Sequence, residues 1–237
     1  MKKQIRNLVL LSGGGTGGHI FPAIAIAQEL GSLRPDLEFL FVGAMGKMEM
    51  DKVPKAGYSI VGLPVSAFHR RLSWKNLIFP FKLAVSLLMA RRIIRQNKPV
   101  LVIGTGGFAS GPLLKAASRQ GVPTLVQEQN AFPGVTNRLL ARKALKICVA
   151  HSGMETWFPS EKLVLTGNPV RKDLVDMDSK RPEALEYYKL HHDKKVALLF
   201  GGSLGALSLN EALAVKLDDI EKMDIQLIWQ TGPGYYE

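Results

Sequence analysis

Residues 12–19 read Ser-Gly-Gly-Gly-Thr-Gly-Gly-His, directly after the apolar run Leu8-Val-Leu-Leu11. An apolar run closed by glycines reads as a short buried strand and a tight turn. Gly13, Gly14, Gly15, Gly17 and Gly18 carry no Cβ, so the backbone can turn sharply and let a ligand approach it closely. The following stretch, 19–30, predicts a helix that starts near residues 19–22, and Pro22 suits a first helical turn. Such a helix start offers unpaired N–H groups and partial positive charge to an anion. Five glycines around Thr16 exceed what a bare turn needs, so a phosphate-bearing ligand is expected. Gly13, Gly15 and Gly18 also satisfy G-x-G-x-x-G, a pattern that is weak on its own.

The 237 residues carry a formal charge of +11, which favours anionic partners: nucleic acid, anionic lipid or phosphorylated ligands. Cys148 is the single cysteine, which excludes an internal disulfide framework and fits a reducing compartment. It lies in Lys146-Ile-Cys-Val-Ala150, a strand pattern, and reads as a small packing residue. The apolar stretch behind Met1-Lys-Lys is too short for a signal peptide, and no stretch is long and apolar enough to span a bilayer.

Strand and helix signals alternate along the rest of the chain. Strands are expected at 37–43, 58–65, 99–104, 124–128, 147–150 and 163–166, with helices at 110–120 and 135–144. This alternation predicts a parallel sheet covered on both faces by helices, with ligands at the carboxyl ends of its strands. Four polar or glycine-rich turns fall at those ends, at 13–19, 105–110, 127–130 and 166–171, and all four could line one cleft. A first domain is expected over 1–166 and a second over 167–237, with a polar stretch at 175–182 as part of a linker. In the second, a strand at 194–200, the turn Gly201-Gly-Ser-Leu-Gly-Ala206, an amphipathic helix at 207–221 and a strand at 225–230 repeat the N-terminal pattern. Two strands cannot bury a sheet on both sides, so this domain is expected to be incomplete in this sequence.

The stretch 69–92 mixes large apolar residues with cations. Pro80 and Lys82 argue against a spanning helix. Trp74, Leu77, Ile78, Phe79 and Phe81, beside Arg70, Arg71, Lys75, Lys82, Arg91 and Arg92, suit the surface of an anionic membrane. A core helix with a basic outer face accounts for part of the pattern, since Leu83, Leu87 and Ile94 need packing partners.

Five segments together resemble the MurG family: Gly14-Gly-Thr-Gly-Gly-His19, Gly106-Gly-Phe-Ala-Ser-Gly-Pro112, Glu128-Gln-Asn130, Thr166-Gly-Asn-Pro-Val-Arg171 and Gly201-Gly-Ser-Leu-Gly-Ala206. They occur in the family's order from the N-terminus to about Gly232. The resemblance implies an α/β glycosyltransferase fold of the B type, two Rossmann-like domains with the active site between them. The implied reaction moves N-acetylglucosamine from UDP-GlcNAc to the C4 hydroxyl of the undecaprenyl-diphospho-muramoyl pentapeptide (lipid I), with inversion, at the cytoplasmic face of the membrane. It also implies roles. Thr16, Gly17 and Gly18 match the glycine loop that meets the donor and the acceptor diphosphate. Asn130 and Arg171 match UDP-GlcNAc contacts, and Ser203 matches a serine near the nucleotide phosphate. His19 and Glu128 match polar groups near the reacting sugars, and residues 77–92 match an apolar, cation-rimmed membrane patch. Leu204 stands where many members have glutamine, so one polar contact of the second loop is expected to be absent. The family's later motifs for uracil, ribose and sugar would lie past Glu237.

Inverting transfer needs a base for the acceptor hydroxyl and a stabilised leaving diphosphate. His19 is the first candidate base, with phosphate binding or helix capping as its other reading. Glu128 is the second, with a loop-ordering hydrogen bond as its other reading. Leaving-group charge is assigned to the helix after the second glycine turn and to the fork of Arg171. No Asp-x-Asp element or His/Cys cluster suggests a structural metal, so neither metal nor cofactor is expected. Two rivals are weaker. An NAD-dependent oxidoreductase wants an acid at the end of the second strand, which here ends in Val42-Gly43-Ala44. A nucleic-acid-binding module would explain the charge, but no such motif appears and the cations lie among apolar residues.

Overall fold

The computed structural model describes residues 7–65, 75–171, 177–202 and 205–236, with the backbone alone at 75–78. The chain divides into two compact units, Met1–Val175 and Asp176–Glu237. The sequence pattern sets this division at 166/167. The turn after the last strand of the first unit stays with that unit, and the Arg171 guanidinium lies 5.2 Å from the centroid of the Phe21 ring.

The first unit is a seven-stranded sheet of β1 (Leu8–Gly13), β2 (Glu38–Ala44), β3 (Ser59–Leu63), β4 (Leu101–Gly106), β5 (Thr124–Glu128), β6 (Lys146–Val149) and β7 (Leu163–Leu165). Its order is β3-β2-β1-β4-β5-β6-β7, and every neighbouring pair is parallel. The helices are α1 (Gly17–Leu33), α2 (Glu49–Lys55), α3 (Lys75–Asn97), α4 (Ser110–Arg119) and α5 (Val135–Ala141). All six residues of β1 are buried, as a parallel strand covered on both faces requires. Successive side chains alternate between faces. Val9 and Leu11 pack with Ile20 and Ile24 of α1 and with Phe41 and Ile103. Leu8 and Leu10 join the opposite core, with Val102, Ile94 of α3 and Leu113 of α4.

From β1 the chain steps outward to β2 and β3, then returns to β4 on the other side of β1. The carboxyl ends of β1 and β4 therefore flank the point where strand order reverses, the usual binding crevice of such sheets. Helix α1 begins at Gly17, two residues before the expected start, so Gly17 and Gly18 lie inside its first turn. Thr16 is the N-cap, and its carbonyl accepts the N–H groups of His19 (3.1 Å) and Ile20 (3.2 Å). Pro22 stands within the helix, and helix α5 stops at Ala141 instead of 144.

The second unit holds α6 (Arg181–Tyr187), β8 (Lys195–Phe200), α7 (Leu207–Ala214), α8 (Leu217–Glu221) and β9 (Ile225–Gln230), with β8 and β9 parallel. The single helix expected over 207–221 is broken in two. The Lys216 N–H bonds the Leu213 carbonyl at 2.8 Å, a three-residue closure that ends the α-helical ladder. Lys216 Nζ then pairs with Asp219 at 2.9 Å and starts α8. The turn after β8 packs closely on the end of β9. A Cβ at Gly205 would come within 1.8 Å of the Thr231 carbonyl oxygen, which also accepts a hydrogen bond from Asn210 Nδ2 at 2.9 Å.

Candidate active site

The turns after β1 and β4 touch through bare backbone. The Gly14 N–H points to the Gly106 carbonyl at 3.3 Å. A Cβ at Gly107 would lie 2.2 Å from the Gly14 oxygen, and Gly107 itself has φ +88°. No side chain fits at Gly107 on either ground. Beneath this seam lies a carboxylate that the sequence reading missed. Glu49, fully buried at the start of α2, accepts the N–H of Gly15 and of Ala44, both at 2.9 Å. A Cβ at Gly14 would sit 2.1 Å from Glu49 Oε1. The only sequence signal was one acid among the methionines after β2, with no spacing to mark it. Its carboxylate is occupied by the glycine turn, so it is not presented to a ribose as a dinucleotide site would require.

The third turn follows β5 and is organised by Glu128, which is 1% exposed. Glu128 Oε1 accepts the Asn130 N–H (3.0 Å) and Asn130 Nδ2 (2.9 Å). Its Oε2 accepts the Gly134 N–H (3.1 Å) and Asn137 Nδ2 (2.9 Å). Four donors fill the acceptor sites of one carboxylate. The loop is further held by Arg138, whose guanidinium lies 5.0 Å from the Trp157 ring centroid and 5.8 Å from that of Phe132.

These three turns enclose a cavity of about 200 Å³ lined by Gly14, Thr16, His19, Gly107, Glu128 and Asn137 among others. Asn137 Oδ1 is buried there without a protein partner. Thr16 is exposed and its side chain makes no capping bond. The N–H groups of Gly17 and Gly18 open α1 and have no intrahelical carbonyl to bond. Gly17, Gly18, Asn130 and Arg171 stand outside the cavity lining. Arg171 lies against Phe21, and Asn130 is drawn to Glu128. Ser203 and Leu204 lie outside the described residues. Cys148 is half-buried, and burial pushes its thiol up, which keeps it protonated and poorly nucleophilic. Among the described residues no group of three His, Cys, Asp or Glu is placed to hold a metal.

A second, apolar groove of about 420 Å³ adjoins the cavity, with Phe108 and Thr136 lining both. Phe79, Leu83 and Leu87 of α3 and Leu139 of α5 form its sides. Farther round α3, Phe81 (74% exposed), Val85 and Leu88 (67% exposed) form an apolar stripe beside the exposed Lys82, Arg91 and Arg92. The opposite face carries the buried Ser86, Ala90, Ile93 and Ile94. Trp74 and the side chains of Leu77 and Ile78 lie outside the described residues. Among those described, no helix is long and apolar enough to cross a membrane.

A doubly wound parallel sheet with a glycine turn and an open helix start at its switch point defines an α/β fold whose ligand crevice lies at that point. The sequence pattern of the glycosyltransferase family 28 N-terminal domain matches residues 9–149. The chain belongs to that family. It is 54% identical over 228 residues to a Flavobacterium psychrophilum UDP-N-acetylglucosamine--N-acetylmuramyl-(pentapeptide) pyrophosphoryl-undecaprenol N-acetylglucosamine transferase. It is 56% identical to the protein of that name from Parabacteroides distasonis. Each match covers 96% of this chain and 62% of the relative, so the chain spans less than two thirds of their length. The crystal structure of Acinetobacter baumannii MurG superimposes with a TM-score of 0.67 at 29% identity, covering 96% of this chain and 61% of that one. A Rickettsia africae glycosyltransferase shares the fold at 10% identity, with a TM-score of 0.66. The fold is thus of the B glycosyltransferase type, as the motifs led one to expect.

Glu128→Gln replaces an all-acceptor group with one that has two donors of its own, so at least two of the four bonds are lost. Amide hydrogen exchange at Asn130 or at Gly134, whichever the new NH₂ group faces, should quicken by about tenfold or more, equivalent to about 1.4 kcal/mol of local stability. Unchanged exchange there would show that Glu128 does not order the loop.

Proposed function

We propose that the complete protein is an inverting glycosyltransferase that moves N-acetylglucosamine from UDP-GlcNAc to the C4 hydroxyl of lipid I, giving lipid II for peptidoglycan. The observation that carries this reading is the cavity at the β1/β4 switch point, where the glycine turns, the Thr16 N-cap of α1 and His19 converge. The relatives' names supply the substrates. The first unit would receive the lipid-linked acceptor. The Gly17 and Gly18 N–H groups and Thr16 would meet its diphosphate, at the positive end of α1. A buried, unpaired acceptor costs roughly 1–3 kcal/mol, so Asn137 Oδ1 favours a hydroxyl-bearing ligand. The apolar groove beside the cavity suits the first units of a prenyl chain.

In the reaction, neutral His19 takes the proton of the acceptor C4 hydroxyl as that oxygen attacks C1 of the donor sugar. The bond from C1 to the β-phosphate oxygen breaks, and its electron pair leaves with UDP. Glu128, with four donors on its carboxylate, has no free lone pair for this proton and serves to hold the 128–137 loop. Asn130, Arg171 and the turn at 201–206 with Ser203 are assigned to the UDP moiety, by their match to family positions. No metal or cofactor is required by this chemistry.

Membrane attachment is assigned to α3. Phe81, Val85 and Leu88 would enter the interface of the cytoplasmic leaflet, and Lys82, Arg91 and Arg92 would face anionic headgroups. The charge of +11 is thereby given an anionic partner that is a lipid surface and not a nucleic acid.

Two outcomes are expected. His19→Ala in the full-length protein should lower transfer by about 10²–10⁴-fold with an unchanged circular dichroism spectrum; near-normal turnover would remove His19 from the chemistry. Co-sedimentation with vesicles rich in anionic lipid should weaken about tenfold for Phe81→Asp with Leu88→Asp, and for the unsubstituted protein at high salt. Binding indifferent to both would dispose of the α3 surface.

A further inference from the structure

The ring of His19 is gripped by a residue to which neither motif nor family match gives a role. Gln129 follows β5, and its Oε1 lies 3.1 Å from His19 Nδ1. Its Nε2 donates to the Thr105 carbonyl at 2.8 Å and to the side-chain oxygen of Gln127. The Thr105 carbonyl decides which way the Gln129 amide faces. It has no hydrogen to give, so a reversed amide would set oxygen against oxygen at that distance. Oε1 is therefore held toward His19. An amide oxygen only accepts, so the hydrogen of this bond belongs to Nδ1. In the neutral ring the lone pair is then on Nε2.

Two further contacts fix the ring. A Cβ at Gly106 would lie 2.7 Å from His19 Nδ1 and 2.8 Å from Cε1, so the β4 backbone closes off that edge. The fully buried Thr105 donates its hydroxyl to the His19 carbonyl at 2.6 Å. One residue of β4 thus anchors both partners, the histidine by its main chain and the glutamine by its amide.

We propose that Gln129 is a positioning residue that fixes His19 as the Nδ1–H tautomer, leaving Nε2 as the nitrogen that accepts the acceptor proton. The orientation stands on the contacts above; its catalytic use rests on the reading of His19 as the base. Water favours the opposite, Nε2–H tautomer of a free histidine side chain, so the protein must hold this one against its solution preference.

Full-length protein carrying ¹⁵N-histidine, with His19→Asn to identify the His19 signals, tests this through long-range ¹H–¹⁵N correlations. The expected pattern for neutral His19 is a protonated Nδ1 and an unprotonated Nε2. Gln129→Leu should return the ring toward Nε2–H and lower kcat about tenfold or more, while KM for the sugar nucleotide stays within about twofold. A purely structural role for Gln129 would not move the tautomer. An Nε2–H ring in the unsubstituted protein overturns the proposal, as does an unchanged tautomer in Gln129→Leu. If that variant does not fold, the unsubstituted spectrum decides. Retained turnover in His19→Asn would remove the base and leave the tautomer assignment intact, so the two failures are distinguishable.

Discussion

The first unit depends on one close approach, backbone against backbone, between the turns that leave β1 and β4. A methyl group at Gly107 would overlap the Gly14 carbonyl, and one at Gly13 would overlap Thr105 Oγ1. With side chains excluded, the two turns close to 3.3 Å between the Gly14 nitrogen and the Gly106 oxygen. That contact sets the start of α1 at the carboxyl end of the sheet, and with it Thr16, the open N–H groups and the histidine ring. The same two strands lie inside the sheet, where both faces are covered, so the seam rests on the buried centre of the unit.

Loops of bare backbone carry many N–H groups, and each must either meet a ligand or be satisfied by the protein. Two buried carboxylates do the second. Glu49 takes Gly15 and Ala44, and Glu128 takes Asn130 and Gly134. The N–H groups of Gly17 and Gly18 are not so consumed, and they are the ones at the positive end of the helix. The division is physically sensible: acceptors of fixed position freeze the turn, and the donors left over keep one geometry in which to meet a diphosphate.

The fold was legible because its signals are short-range. The 124–128 strand and the helix starts at Ser110 and Val135 follow from apolar runs and turn residues next to them in the chain. Glycine spacing likewise marked the binding turn. What the sequence did not disclose are the partners of those turns. Glu49 lies 34 residues from Gly15, and Gln129 lies 110 from His19. No periodicity joins such pairs, because the sheet order and not the chain brings them together. Glu128 was visible as polar, but its choice between base and brace depends on four donors whose aim only the folded loop fixes. The break at Lys216 was hidden for the opposite reason. The apolar pattern continues through 207–221, and a local three-residue closure overrides it.

The apolar groove and the stripe on α3 extend the same logic outward. A diphosphate held by the helix start would leave any attached hydrocarbon beside Phe108, in a groove whose far wall is α3, the helix with the exposed apolar face. Polar head, apolar tail and the surface proposed to meet the membrane would then lie in sequence along one unit. The most direct test is backbone amide shift mapping on the full-length protein during titration with a water-soluble short-chain prenyl diphosphate. Saturable shifts centred on Gly15, Thr16, Gly17, Gly18 and Gly107 are the predicted result. Saturable binding that leaves those five amides unmoved would contradict the account.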